Sequence, residues 1–175
     1  MQTAIQHLYK SPHEGNGLLY AWFLSMHTRV DIILYSQKPE RELLLVVNRI
    51  YDALYRLEKI GKFYDPDSEL SFVNRTASIS PIVLSEELYS MIDLCLEYNS
   101  KTLGYFDITV HSENYTQTTI YSVHLSAEEH SIHFSQPGVS INLSGFLKGY
   151  ALETIKDILN ECIDKHGKQF YPCFG

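Results

Sequence analysis

The stretch LLYAWFLSMHTRVDIILY, residues 18–35, decides how this chain is read. Residues 18–25 and 29–35 are rich in aromatic and aliphatic side chains and contain no proline, so they read as two strands joined around Met26, His27 and Thr28, a hairpin or bulged ribbon. The segment that follows changes period. From Glu40 to about Ile60, apolar Leu43, Val46, Val47, Ile50, Leu54 and Leu57 recur at intervals of three and four, which predicts an amphipathic helix. Gly61 and Pro66 in GKFYDPD break that helix, and Ser68 is placed to cap a short helical turn through Glu69 and Leu70.

Further along, Ser85 ahead of Glu86 and Glu87 predicts the start of a second helix, ending near Leu103 and Gly104. FDITV, TTIYSVHL, HSIHFS and GVSINLS read as strands, the last alternating Val139, Ile141 and Leu143 against Ser140, Asn142 and Ser144. A final helix is predicted over 147 to about 163. Antiparallel hairpins with helices in the excursions give an α+β fold, with helices packed on one face of a mainly antiparallel sheet. One domain over residues 1–175 is expected, with 1–16 as a polar N-terminal arm.

Composition narrows the function classes. A net charge of -7 and no cluster of Lys and Arg argue against a nucleic-acid surface. Three dispersed cysteines without a CxxC pair suit a reducing compartment. The start has no apolar core followed by a small-residue cleavage site, and no apolar run approaches a membrane span, so a cytoplasmic location is expected. His130 and His133, three apart in a strand, leave on opposite faces and do not form a metal pair; Cys162 and His166 are a weak zinc signal. The acidic loop of Asp65, Asp67 and Glu69 has the residue types to hold a cation, although such runs are usually solvated surface.

The junction NLSGFLKGYALE, residues 142–153, bends at a glycine and enters a helix carrying Lys148 in its first turn. It is not a Walker loop, which needs two glycines five apart followed by lysine and a hydroxyl residue. Two readings stand on spacing alone: a glycine-bent strand-to-helix junction, or an anion site at a helix N-terminus.

Taken in order, MHT, FYDPDSELSFVN, TLGYFDITV and LSGFLKGYALE resemble the ApbE family of FAD:protein FMN transferases over about residues 23–165. That resemblance implies a T-fold-like architecture, binding of FAD, and Mg2+-dependent transfer of FMN from FAD to a Ser or Thr of a target protein. Carried over by position, the flavin-contacting residues are Met26, Tyr64, Ser68, Asn74, Thr102, Asp107, Thr109, Lys148, Gly149 and Tyr150, with Tyr64 stacking on the ring system. The backbone carbonyl of Leu147 falls where the family gives a metal ligand.

His27 replaces a family glycine, Leu147 replaces a small residue, and Glu153 stands where the family has Asp. The family continues beyond the position of Gly175 into a half with an acidic, threonine-containing metal motif and a catalytic histidine. Two functions follow: a divergent FMN transferase, or a flavin-binding or assembly module without catalysis. A homodimer formed by strand addition at an exposed sheet edge is a further expectation.

Overall fold

The computed structural model describes residues 4–11, 15–162 and 171–174, the last as a strand without its side chains. In chain order it contains β1 (Gln6–Lys10), β2 (Gly17–Ser25), β3 (Thr28–Ser36), α1 (Glu40–Gly61), α2 (Glu69–Thr76), β4 (Ile82–Val83) and α3 (Glu86–Lys101). A 3-10 helix (Thr119–Ser122), β5 (Val123–Ser126), β6 (Ser131–Phe134), α4 (Ser144–Cys162) and β7 (Tyr171–Phe174) follow. Two compact units arise: Met1–Glu58 with Gly149–Gly175, and Lys59–Lys148. Mixed helices and antiparallel sheets make the fold α+β.

The first unit holds a four-stranded sheet in the order β1-β2-β3-β7, antiparallel throughout. Residues 6–10 of the polar arm thus pair with β2. Along β2, Leu19, Ala21 and Phe23 are buried while Leu18 and Leu24 are exposed, the alternation of a sheet with one face on a core. Phe23 meets Tyr51 of α1 edge to face at 5.0 Å, and Val47, Ile50 and Leu54 of that helix are fully buried.

The β2–β3 register pairs Ser25 with Thr28, leaving Met26 and His27 as a two-residue loop. Both have positive φ, 50° and 59°, as a primed hairpin turn requires. Such turns favour Asn-Gly because a Cβ is strained there. His27→Gly is therefore expected to stabilise the protein by about 1 kcal/mol in urea unfolding.

The second unit carries a three-stranded antiparallel sheet, β4-β6-β5, and the helices α2 and α3. Ser68 caps α2 by accepting from the Ser71 N–H at 3.0 Å, and Ser85 caps α3 through the Leu88 N–H. Glu69, in the first turn of α2, accepts from both the N–H and the hydroxyl of Ser85, each at 2.7 Å, so the two helix starts are tied together. The α2 helix runs to Thr76, well past the short turn predicted from sequence.

Three strand predictions are corrected. FDITV is a series of turns, because the Asp107 carboxylate folds back on Thr109. GVSINLS belongs to no sheet: Gly138 is in a turn, Ser144 starts the last helix, and the backbone groups between them bond to the Asn74 and Ser112 side chains and the Ile108 carbonyl. In TTIYSVHL only Val123 onward is strand, the preceding residues forming the 3-10 helix. The last helix starts at Ser144, three residues earlier than predicted.

Cys95 of α3 is fully buried, and that burial pushes its thiol up to about 12. In the unfolded chain the thiol ionises first, so this group costs stability as pH rises from about 9 towards about 12. Native protein treated with iodoacetamide at pH 8 is expected to show Cys95 unmodified by mass spectrometry and to alkylate it only on unfolding.

Candidate functional site

Three loops of the second unit converge. The first, residues 62–68 after α1, is held by side chains on backbone: the Ser68 hydroxyl donates to the Lys62 carbonyl at 2.6 Å and the Ser71 hydroxyl to the Phe63 carbonyl at 2.8 Å. Its exposed product is Tyr64, 82% accessible, edge-on to Phe63 at 4.9 Å. Large aromatic rings held outward on a fixed loop suit stacking on a planar ligand.

The second loop follows α3. Thr102 ends the helix, its hydroxyl donating to the Tyr98 carbonyl at 2.7 Å and accepting from the Phe106 N–H at 3.0 Å. Leu103 and Gly104 take positive φ, and the Gly104 N–H reaches back to the Asn99 carbonyl at 2.8 Å, an αL helix end. Asp107 then accepts from both the N–H and the hydroxyl of Thr109, at 2.7 and 2.6 Å, and from the Tyr115 hydroxyl at 3.1 Å. Partial desolvation, then the neighbouring Asp107 carboxylate, raises the Tyr115 phenol above its ordinary range.

The third loop is the approach to α4. Asn74 exchanges two bonds with Ile141, accepting its N–H and donating to its carbonyl, both at 2.9 Å, as a neighbouring strand would. Asn142 donates its N–H to the Ile108 carbonyl at 2.8 Å and accepts from the Ser144 N–H at 2.9 Å with its side chain, which orients the helix start. His111 joins all three loops: its Nδ1 lies 3.4 Å from the Asn142 amide, and its ring packs on Phe63 at 5.4 Å.

Of the residues predicted from sequence, Tyr64, Ser68, Asn74, Thr102, Asp107 and Thr109 thus lie on or directly beneath these loops. Ser68, Asn74 and Thr102 act on backbone, and Thr109 is fully buried. Lys148 of α4 is exposed and has no ion pair among the described residues. Phe63, His111, Tyr115 and Asn142 were not foreseen; only the position of His111 directly behind FDITV pointed to it.

Of the remaining predicted residues, Met26, Gly149 and Tyr150 belong to the first unit. Met26 is buried, and its N–H donates to Glu58 Oε2 at 2.8 Å, while the Ser25 hydroxyl donates to the same oxygen at 3.2 Å. Glu58 therefore anchors the strained hairpin turn, a role that no spacing announced. Tyr150 gives its carbonyl to the Thr154 hydroxyl at 3.1 Å within α4.

Two glycines of α4 stand out. A Cβ built on Gly145 or Gly149 meets nothing within 4 Å, and neither has positive φ, so neither packing nor turn geometry demands glycine there. Leu147 is different: its side chain is buried and comes within 3.3 Å of a Cβ built on Gly61, so it fills the space beside that residue. Its carbonyl lies within continuous helix, where such groups are already hydrogen-bonded four residues on.

Residues 26–167 match the profile described as the ApbE family. The chain belongs to that family. It is 22% identical over 162 residues to the FAD:protein FMN transferase of Treponema pallidum, covering 78% of this chain and 45% of the relative. The enzyme of the same name from Chlamydia pneumoniae is 26% identical over 154 residues, 74% of this chain and 48% of its own. This chain therefore spans about half the length of the curated ApbE-family relatives it matches.

Solved structures agree on the fold. The ApbE protein of Thermotoga maritima superposes with a TM-score of 0.70 at 22% identity, over 82% of this chain and 53% of its own. An H257G mutant of the Vibrio cholerae flavin transferase ApbE gives 0.67 at 19% identity, over 90% and 57%.

The Mg2+ that the ApbE resemblance implies is poorly served by the described residues. Among them no group of three or more His, Cys, Asp or Glu side chains is arranged to hold a metal, and the Leu147 carbonyl is helical. A hard cation wants several oxygen ligands together. His166, the possible partner of Cys162, lies outside the described residues. No described helix is long and apolar enough to cross a membrane.

Proposed function

We propose that this chain is a flavin-nucleotide-binding member of the ApbE family, whose loops around Tyr64 and Asp107 and whose α4 start hold FAD. The observation that carries this reading is Tyr64, an exposed ring on a loop locked by Ser68 and Ser71. The open Gly145 in the first turn of α4 supports it, since close approach of a ligand to backbone is a physical reason to retain a glycine that packing does not require. Lys148 adds a cation with no ion pair among the described residues, suited to a pyrophosphate.

Transfer of FMN from FAD to a Ser or Thr of an acceptor protein is the reaction this reading assigns to the family site. Phosphoryl transfer depends on positioning and charge neutralisation. Because the described residues gather no carboxylate set for Mg2+, we assign this stretch the binding step and make no assignment of the transfer step to it alone.

Two measurements test this. Saturating FAD is expected to raise Tm, since ligand binding to the native state stabilises it. Tyr64→Ala is expected to weaken FAD binding about tenfold or more without changing Tm of the free protein. No FAD-induced shift, with or without Mg2+, removes the flavin reading. An FMN mass increase on a Ser- or Thr-containing acceptor peptide overturns the restriction to binding.

Gly145 provides an independent check, because a Cβ there meets nothing within 4 Å. Gly145→Ala is expected to leave the free protein as stable as wild type, or more stable by up to about 1 kcal/mol in urea unfolding, while lowering FAD affinity. A variant that keeps its affinity shows that the space at Gly145 is not used by the ligand.

A further inference from the structure

The β5–β6 ribbon carries two imidazoles that the flavin reading does not use. His124 and His133 stand directly opposite each other in the antiparallel register. Val123, Ile132 and Phe134, their strand neighbours, are buried, so the alternation of the strands sends both histidines to the other face. His124 is exposed and His133 half-buried. Their rings lie 22° from parallel with centroids 6.3 Å apart. Among the described residues neither ring has a hydrogen bond or ion pair. His130, by contrast, is engaged, 3.2 Å from Glu86 and stacked on Tyr89.

Neutral imidazole is a good ligand for borderline divalent ions of the first transition row. With bonds of about 2.0 Å, two imidazoles on one tetrahedral ion bring their ring centroids to roughly 5 Å. The observed pair needs to close by about 1 Å, which side-chain rotation at a solvent-facing ribbon supplies. We propose that His124 and His133 form a two-imidazole chelate for a divalent transition-metal ion of the Zn2+ or Ni2+ type, with water completing the coordination. The described residues bring no third side chain, so the ion is exchangeable rather than locked in a closed structural site. Such an ion bridges β5 and β6. This chelate is independent of any Mg2+ role, because a hard cation prefers oxygen ligands.

The test is calorimetric titration of the whole protein with ZnCl2 and with NiCl2 at pH 7.5, with MgCl2 as the contrasting ion. Wild type is expected to bind one Zn2+ or Ni2+ with a rise in Tm, and Mg2+ is expected not to compete. His124→Gln and His133→Gln are each expected to weaken binding about tenfold or more, because losing either ring destroys the chelate. The double variant is expected to be little weaker than the singles. Circular dichroism identical to wild type confirms that the variants fold. Absence of binding, or either single variant binding within twofold of wild type, overturns the proposal, as does a double variant that retains the tight event through other histidines.

Discussion

Replacing Asn74 with alanine is expected to destabilise the protein by about 2–4 kcal/mol, because two backbone groups lose their partners at once. Ile141 is fully buried, so its N–H and carbonyl have no water to turn to when the Asn74 amide is removed. In thermal melts this corresponds to a fall in Tm of roughly 5–15 °C for a chain of this size. Asn74→Asp separates the two bonds. It keeps an acceptor for the Ile141 N–H but sets a carboxylate against the Ile141 carbonyl. Its stability is therefore expected to recover as pH falls and the protonated acid regains a donor. A loss below about 1 kcal/mol for the alanine variant would show that residues 139–143 are held by side-chain burial alone.

Glu58→Ala is the second large effect, expected at about 2–3 kcal/mol, since the carboxylate accepts a backbone N–H and a hydroxyl in a half-buried setting. Removing it frees a turn whose two residues, Met26 and His27, both occupy the left-handed region against their preference. Glu58→Gln keeps a neutral acceptor and is expected to recover roughly half of the loss. Adding His27→Gly to Glu58→Ala is expected to recover about 1 kcal/mol, because glycine relaxes the strain that Glu58 compensates. Unfolding in urea gives all three values. If Glu58→Ala unfolds at the wild-type midpoint, the turn is held by strand pairing and not by the carboxylate.

These two residues also mark where sequence reasoning stopped. The β2–β3 hairpin, α1 and the Ser68 and Ser85 caps were legible because each is a local code: strand composition, a period of 3.6, or a hydroxyl ahead of acidic residues. The four ordered motifs were legible for the same reason, being contiguous runs. Glu58 lies one turn from the end of an amphipathic helix among other charged residues, so nothing local distinguishes it from solvated surface. His124 and His133 are nine positions apart, and only strand register brings them face to face.

The alternation in GVSINLS was read correctly as to burial and wrongly as to strand. Val139, Ile141 and Leu143 are buried as expected. Periodicity reports which side of an extended segment meets apolar neighbours; it does not report what satisfies the backbone. Here Asn74, Ser112 and Ile108 do, and they come from 67, 28 and 34 positions away. FDITV failed differently: Asp107 offered the backbone a local partner that competed with any ladder.

By itself, then, the sequence determined the α+β class, the main helices with two of their caps, the hairpin, and membership of the ApbE family, all carried by neighbouring residues. Only the tertiary structure decided that Asn74 substitutes for a strand, that Glu58 clamps the hairpin turn, that Leu147 packs beside Gly61, and that His111 joins three loops. Each depends on a hydrogen bond or contact between distant residues, and chain closure over such distances leaves no trace in local composition.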